Sequence, residues 1–297
     1  NIFFNTNLNK KIRIYPIIVG NLINYNLSID PKEIILRKID LEKIENLEQI
    51  SLVPGTILEI QIKENSKIDY LNFLSSEMNN SAVILKGTNF RIDKMSFKEI
   101  NKKSENIAIE KKNITGCINI LNSEFIINKL IIDGSNCEDG INIIKSKGRI
   151  NDLEIKNVIS DGIDLDYSEV HIENINVLNA AGDCVDLSFG NYFIKNAQIK
   201  KCGDKGISVG EVSNVKIFNT QIIKSKSGVA SKDFSKVKIE DSKISNTEIC
   251  FEAFNKKPEF SGGLIESIRN ICKFNFKFAN VSNSSKILLN GKDFLKS

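Results

Sequence analysis

The chain has 297 residues, of which 41% are hydrophobic and 26% charged, enough to bury a sizeable core and unlike the composition of a disordered chain. Its 41 Lys and Arg against 37 Asp and Glu leave a balance of +4, spread along the sequence, which excludes the clustered basic footprint of a nucleic-acid-binding protein. No run of apolar residues reaches the roughly eighteen needed for a transmembrane helix.

In chain order, the start NIFFNTNLNKKIRI lacks both an initiator Met and the residue order of a signal peptide, so it reads as a mature or truncated start preceded by a signal peptide or another domain. Residues 1–50 do not fit the pattern that follows. RIYPIIVGN reads as a strand, and PKEIILRKIDLEKIENLEQI as either a charged helix or irregular strands. The segment is expected to be a cap, or the tail of an upstream domain, because the first turn of a solenoid would otherwise expose an open edge. From SLVPGTILEIQI the residues alternate, with Pro54 and Gly55 as a turn. Residues 51–253 are assigned to one repetitive body, with loops projecting from the irregular early turns within 98–125. After it, NKKPEFSGG breaks the pattern, and residues 254–297 are assigned to final strands and a C-terminal cap.

The repeat is clearest from Glu138 to Asp233, in the segments EDGINI, SDGIDLD, GDCVDLS, GDKGISVGE and SGVASKD. Gly140, Gly162, Cys184, Gly206 and Gly228 stand 22 residues apart, and such a period predicts a solenoid. A second strand per unit, as in INDLEI, IENINV, IKNAQI and IFNTQI, carries an Asx residue near its start. The apolar residues alternate with period two, so stacked parallel strands about 4.8 Å apart are expected rather than strand and helix pairs. Asn174, Asn196 and Asn219 should then lie in adjacent turns with their amides bonded to backbone inside the stack. The six cysteines show no metal-ligand spacing. Cys184 and Cys202 are out of register for a lateral bridge, and buried thiols are expected.

If Ile141, Ile163, Val185, Ile207 and Val229 point inward, the residues between them point outward. The outward columns gather Asp161, Asp183 and Lys205, then Asp164, Asp186 and Ser208, then Asp166, Ser188, Gly210 and Lys232, with Glu211 and Asp233 beyond. Carboxylates one rung apart repel, which raises a pKa or recruits a cation. Asp161, Asp183, Lys205 and Lys232 are therefore the candidate catalytic groups, and Asp164, Asp186, Glu211 and Asp233 the candidate substrate-binding ones. Asp164 and Asp186 are also candidate ligands for Ca²⁺. The alternative is that Asp to Lys pairs keep an exposed sheet soluble and in register. His171 is expected to be a lone surface histidine.

With its Asx column and 22-residue units, the sequence resembles the right-handed parallel β-helix of the pectin-lyase-like superfamily, and the right hand is implied by that resemblance. SDGIDLD, GDCVDL and GDKGISVGE are similar to consecutive catalytic segments of polygalacturonase-type glycoside hydrolases, whose Asp, Asp and Lys positions are matched by Asp161, Asp183 and Lys232. Gly182 replaces the first Asp of that family's adjacent pair, Lys205 stands in place of its His, and Ala230 in place of its Arg. The phrases GDKGISVGE and ASKD also resemble β-helix domains appended to spore-coat CotH-like kinase domains of bacterial surface proteins. These resemblances imply an all-β solenoid, secreted or at the cell surface, that binds or forms part of a polysaccharide-bearing surface. They imply as alternatives a hydrolase or lyase acting on an acidic glycan, with Lys205 or Lys232 as the base of a lyase, and a rigid rod of an appendage or phage fibre.

Overall fold

The computed structural model describes residues 15–19, 22–26, 35–41, 46–52, 56–75, 81–99, 114–282 and 284–296. Side chains are described from residue 50 onward. The expected loops within 98–125 fall partly on residues 100–113, outside the described residues.

The chain is a parallel β-solenoid. One sheet stacks eleven strands in chain order from Ile35–Leu41 to Lys277–Val281, each parallel to the next. Its register aligns Ile118, Ile141, Ile163, Val185, Ile207, Val229 and Phe251 in one column, and all seven are 0% exposed. The second sheet is built from long strands such as Glu169–Ala180 and Asn191–Cys202. Each coil runs from a short strand of the first sheet through a corner into a long strand of the second. Parallel pairing already joins Ile35–Leu41 to Thr56–Ile62, so strands rather than a charged helix occupy this part of the chain, and it continues past Ile249–Phe254 to Lys277–Val281.

Corners need backbone that a strand lacks, and here left-handed residues supply it. One corner column is Lys145, Tyr167, Phe189 and Val212, with φ of 49° to 55°. Another is Asn157, Asn179, Lys201 and Lys224. Asn is the residue expected at such sites, but Lys and aromatic residues fill them equally.

The Asn ladder is present, with a corrected position. Asn196 Nδ2 donates to Asn174 Oδ1 at 2.9 Å and to the Glu173 carbonyl at 3.3 Å, and Asn219 Nδ2 donates to Asn196 Oδ1 at 2.8 Å. Asn174 and Asn219 are exposed and Asn196 half-buried, so the ladder runs along the outside of the bend rather than inside the stack.

The expectation of buried thiols is also corrected. Cys117 pairs with Cys137, Cys184 with Cys202 and Cys250 with Cys272, at sequence separations of 20, 18 and 22. A lateral bridge would join neighbouring rungs, whereas these lie within one coil. Each joins the start of a strand of the first sheet to a cysteine in or just past a later strand of the second. Cys117, Cys184 and Cys250 share the column of Gly140, Gly162, Gly206 and Gly228. The glycines are there because a Cβ at Gly206 would come within 2.6 Å of Ile222 Cγ2, and one at Gly228 within 2.5 Å of Ile244 Cγ2. At this point of the coil the core takes either a bare backbone facing a branched side chain or a cystine.

Thiol titration of the denatured, unreduced chain is expected to find no free thiol, and reduction should cost about 3 kcal/mol per closed loop of this length. Six titratable thiols in the purified protein would refute the pairing. Asn196→Leu should cost about 1 kcal/mol by denaturant unfolding, because the lost amide bonds lie at a hydrated bend.

Candidate functional site

The outward columns have the register expected: Asp164 pairs with Asp186 and Asp186 with Ser208, while Asp139 precedes Asp161 in the first column. Within the first column the carboxylates serve the backbone of the next rung. Asp161 Oδ1 accepts the Asp183 N–H at 2.7 Å, and Asp183 Oδ1 accepts the Lys205 N–H at 2.8 Å. This explains Gly182, since a Cβ there would sit 2.0 Å from Asp161 Oδ1. A carboxylate at position 182 has no room while Asp161 holds that place.

Asp161, Asp183 and Asp186 converge, offering one oxygen each with all three within 4.8 Å of one another. Lys205 Nζ lies 3.6 Å from Asp183 Oδ1 and 2.5 Å from Asp204 Oδ2. Lys232 Nζ lies 3.8 Å from Asp186 Oδ1 and donates to Ser208 Oγ at 3.0 Å. Gly210 makes room for this lysine, because a Cβ there would be 2.9 Å from Lys232 Cε. Three carboxylates and two ammonium groups thus meet on one patch. The all-oxygen donor set suits a hard cation such as Ca²⁺, but the two ammonium groups already offset part of its negative charge. Asp164 stands beside this triad, its Oδ2 accepting Asn142 Nδ2 at 3.0 Å.

The face is less open than alternation alone suggests. Lys232 is 6% exposed, lying along Gly210 to Ser208, and Asp233 is 0% exposed, with residues 255–263 folded over it. Asp233 Oδ1 accepts the N–H groups of Lys256 and Lys257 at 2.7 and 2.8 Å. Glu211 takes Lys257 Nζ at 2.5 Å and Ser188 Oγ at 2.8 Å. Glu211 and Asp233 therefore tether the covering segment, while Asp161, Asp183, Asp186, Lys205 and Lys232 form the polar patch. At its edge Tyr167 and Phe189 stack with centroids 4.5 Å apart and planes at 4°, and Phe260 meets Phe189 edge-on.

Burial dominates the titration. It raises Asp161 and Asp166 to about 6, and raises Asp183, for which Lys205 offsets part of the effect. It raises Asp139 to about 8 and Asp164 to about 9, with neighbouring carboxylates adding to the shift in both. For Lys205, burial acts to lower the ammonium pKa but is outweighed by Asp204 and Asp183, and the net shift is upward. For Glu211, burial acts upward and is outweighed by Lys257 and Ser188, which leaves it below the usual range. Asp139 has an unpartnered Oδ2, as does Asn142 an unpartnered Oδ1. Asp139 was legible in the sequence, since EDGINI places it one rung before Asp161, whereas Asn142 carries no charge to draw notice. His171 lies on the other sheet, half-buried and 3.4 Å from Glu173.

Residues 139–294 match the family described as right-handed β-helix region. No curated protein matches the sequence. Among solved structures, the crystal structure of the periplasmic alginate epimerase AlgG is similar, at 12% identity and a TM-score of 0.39, covering 83% of this chain and 84% of that one.

Folded-state values of about 8 and 9 for Asp139 and Asp164, against about 3.9 for an unfolded Asp, mean that the native state binds more protons between those limits. Stability should therefore fall as pH rises through that window. Thermal scans from pH 5 to 8.5 should show a falling Tm, and Asp139→Asn should be more stable than the parent at pH 8 with a shallower pH profile. A flat parental profile would contradict this.

Proposed function

Because the chain belongs to the right-handed β-helix region family, we propose that it is an extracytoplasmic β-helix module that binds a polysaccharide on the face of Asp161, Asp183, Asp186, Lys205 and Lys232. The observation that carries this reading is the convergence of three carboxylates and two ammonium groups beside the Tyr167 and Phe189 stack. Carboxylates accept the hydroxyls of a sugar, lysines donate to its oxygens, and the exposed ring of Tyr167 at the end of the stack offers apolar surface to one face of a pyranose. The three cystines support a secreted or cell-surface setting, since such bonds persist in oxidising compartments.

A second reading, hydrolysis or lyase chemistry on the same face, is favoured by one observation. Asp161 at about 6 is placed near neutrality, where a general acid works best. The polygalacturonase-type template needs a further carboxylate, which Gly182 does not supply. Lys205 and Lys232 remain the candidate bases for a lyase. The resemblance to CotH-associated domains supports a surface setting and assigns no chemistry.

The test is affinity electrophoresis and calorimetry against acidic and neutral polysaccharides, with assays for new reducing ends and for unsaturated products. Asp161→Asn and Asp183→Asn keep an oxygen for the backbone N–H each carboxylate serves, so their Tm should stay near the parental value. Their glycan affinity should fall at least tenfold. Parental binding that survives both substitutions unchanged would remove the Asp face from the site, and product formation would select the second reading.

A further inference from the structure

A groove of about 1210 Å³ runs along the second sheet, away from the Asp patch. Its floor is a single column in register across eight rungs, from Arg91 through Ile126, Arg149 and His171 to Phe193, Lys216, Lys238 and Glu266. Seven steps of about 4.8 Å make it about 34 Å long. Seven lysines and arginines line it against three glutamates, a balance of +4. The face of the Asp patch has the opposite character.

Some of these cations are already engaged. Arg149 Nη2 contacts Glu173 Oε2 at 3.0 Å, Lys147 contacts Glu169 at 3.2 Å, and Lys238 contacts Glu240 at 2.7 Å. Among the described residues, Arg91 and Lys216 make no ion pair, and both are exposed. Between them lies Phe193, half-buried, with its ring 4.4 Å from His171 and 5.4 Å from Phe218. Cations therefore stand at both ends of an aromatic segment, all on one line parallel to the solenoid axis.

We propose that this groove is a second binding site, for an extended anionic polysaccharide bearing about one carboxylate or sulfate per sugar and lying along the axis. A pyranose is close to one rung in length, so successive sugars of a linear chain keep step with successive side chains of the column. The charge density decides the class of polymer. A net charge of +4 over about 34 Å is one per about 8 Å, well below the one per about 1.7 Å of duplex DNA, and interleaved glutamates would oppose a dense polyphosphate. A polyuronate, with one charge per sugar of about 4.8 Å, lies far closer to the charge density of this groove than duplex DNA does, and Phe193 offers its ring to the sugar between cations. The site does not rest on the reading of the Asp face.

The test measures affinity of the full chain for polygalacturonate and for a linear neutral glucan, at low and physiological salt, in the parent and in the double variant Arg91→Gln, Lys216→Gln. Both positions are exposed and unpaired, so the Tm of the double variant should match the parent's. The parent should bind polygalacturonate at least tenfold tighter than the neutral chain, with affinity falling as salt screens the contacts. The double variant should lose at least tenfold for polygalacturonate. Equal affinity of parent and double variant, equal affinity for the neutral glucan, or tighter binding of duplex DNA or anionic vesicles would each overturn the proposal. Loss of binding in Asp183→Asn with none in the double variant would place the polymer on the Asp face and equally overturn the groove.

Discussion

The hydrogen bonding of each rung to the next is the constraint on which the rest of this molecule depends. Once parallel strands stack at about 4.8 Å, every residue position becomes a column, and whatever side chain occupies a column must tolerate its own likeness one rung away. Apolar columns satisfy this by packing, as Ile141, Ile163, Val185, Ile207 and Val229 do. The Tyr167 and Phe189 column satisfies it by stacking, at a centroid distance close to the rung spacing. The amides of Asn174, Asn196 and Asn219 satisfy it by donating each to the one before. Only the aspartate columns cannot, because like charges at that distance repel. The chain answers with backbone N–H donors to Asp161 and Asp183, with lysines on the next rungs, and with protonation of Asp139 and Asp164.

The same constraint explains what could be read from the sequence. A period of 22 residues with two-fold alternation fixes the columns, so the inward set, the outward set and the pairing of Asp164 with Asp186 were all legible without coordinates. What alternation does not report is how far apart the two arms of a coil lie. The cystines depend on that distance: Cys184 and Cys202 are separated by 18 residues and still meet, with Cα atoms 5.4 Å apart. The clue was in the column itself, where cysteine alternates with glycine. A residue that replaces glycine at a crowded point must either displace its neighbour or bond to it.

Burial on the outward face was the other illegible feature, and its cause is non-local. Lys232 points away from the core by period and is nonetheless buried, and the carboxylate of Asp233 is covered by residues 255–263, a segment that in sequence reads only as a break in the pattern. Its approach changes the role of Glu211 and Asp233 from open carboxylates to tethers. The groove on the second sheet was hidden for a similar reason. Its cations, Arg91, Arg149, Lys216 and Lys238, are spaced by whole coils, and a charge map along the sequence shows them as scattered.

The near-neutral total charge conceals this division. A balance of +4 is the sum of a face where carboxylates gather and a groove where cations prevail, set on different sheets of one rigid stack. Burial weakens the negative face, since Asp139 and Asp164 titrate at about 8 and 9 and hold protons at neutral pH. At neutral pH the outside of the solenoid is thus more polarised by its cations than the residue count suggests. An anionic chain approaching it would meet net positive charge along the groove and, on the other sheet, carboxylates of which Asp139 and Asp164 are protonated. Alternation alone is enough to build such a surface, because in a solenoid every second residue faces outward and every turn repeats the choice.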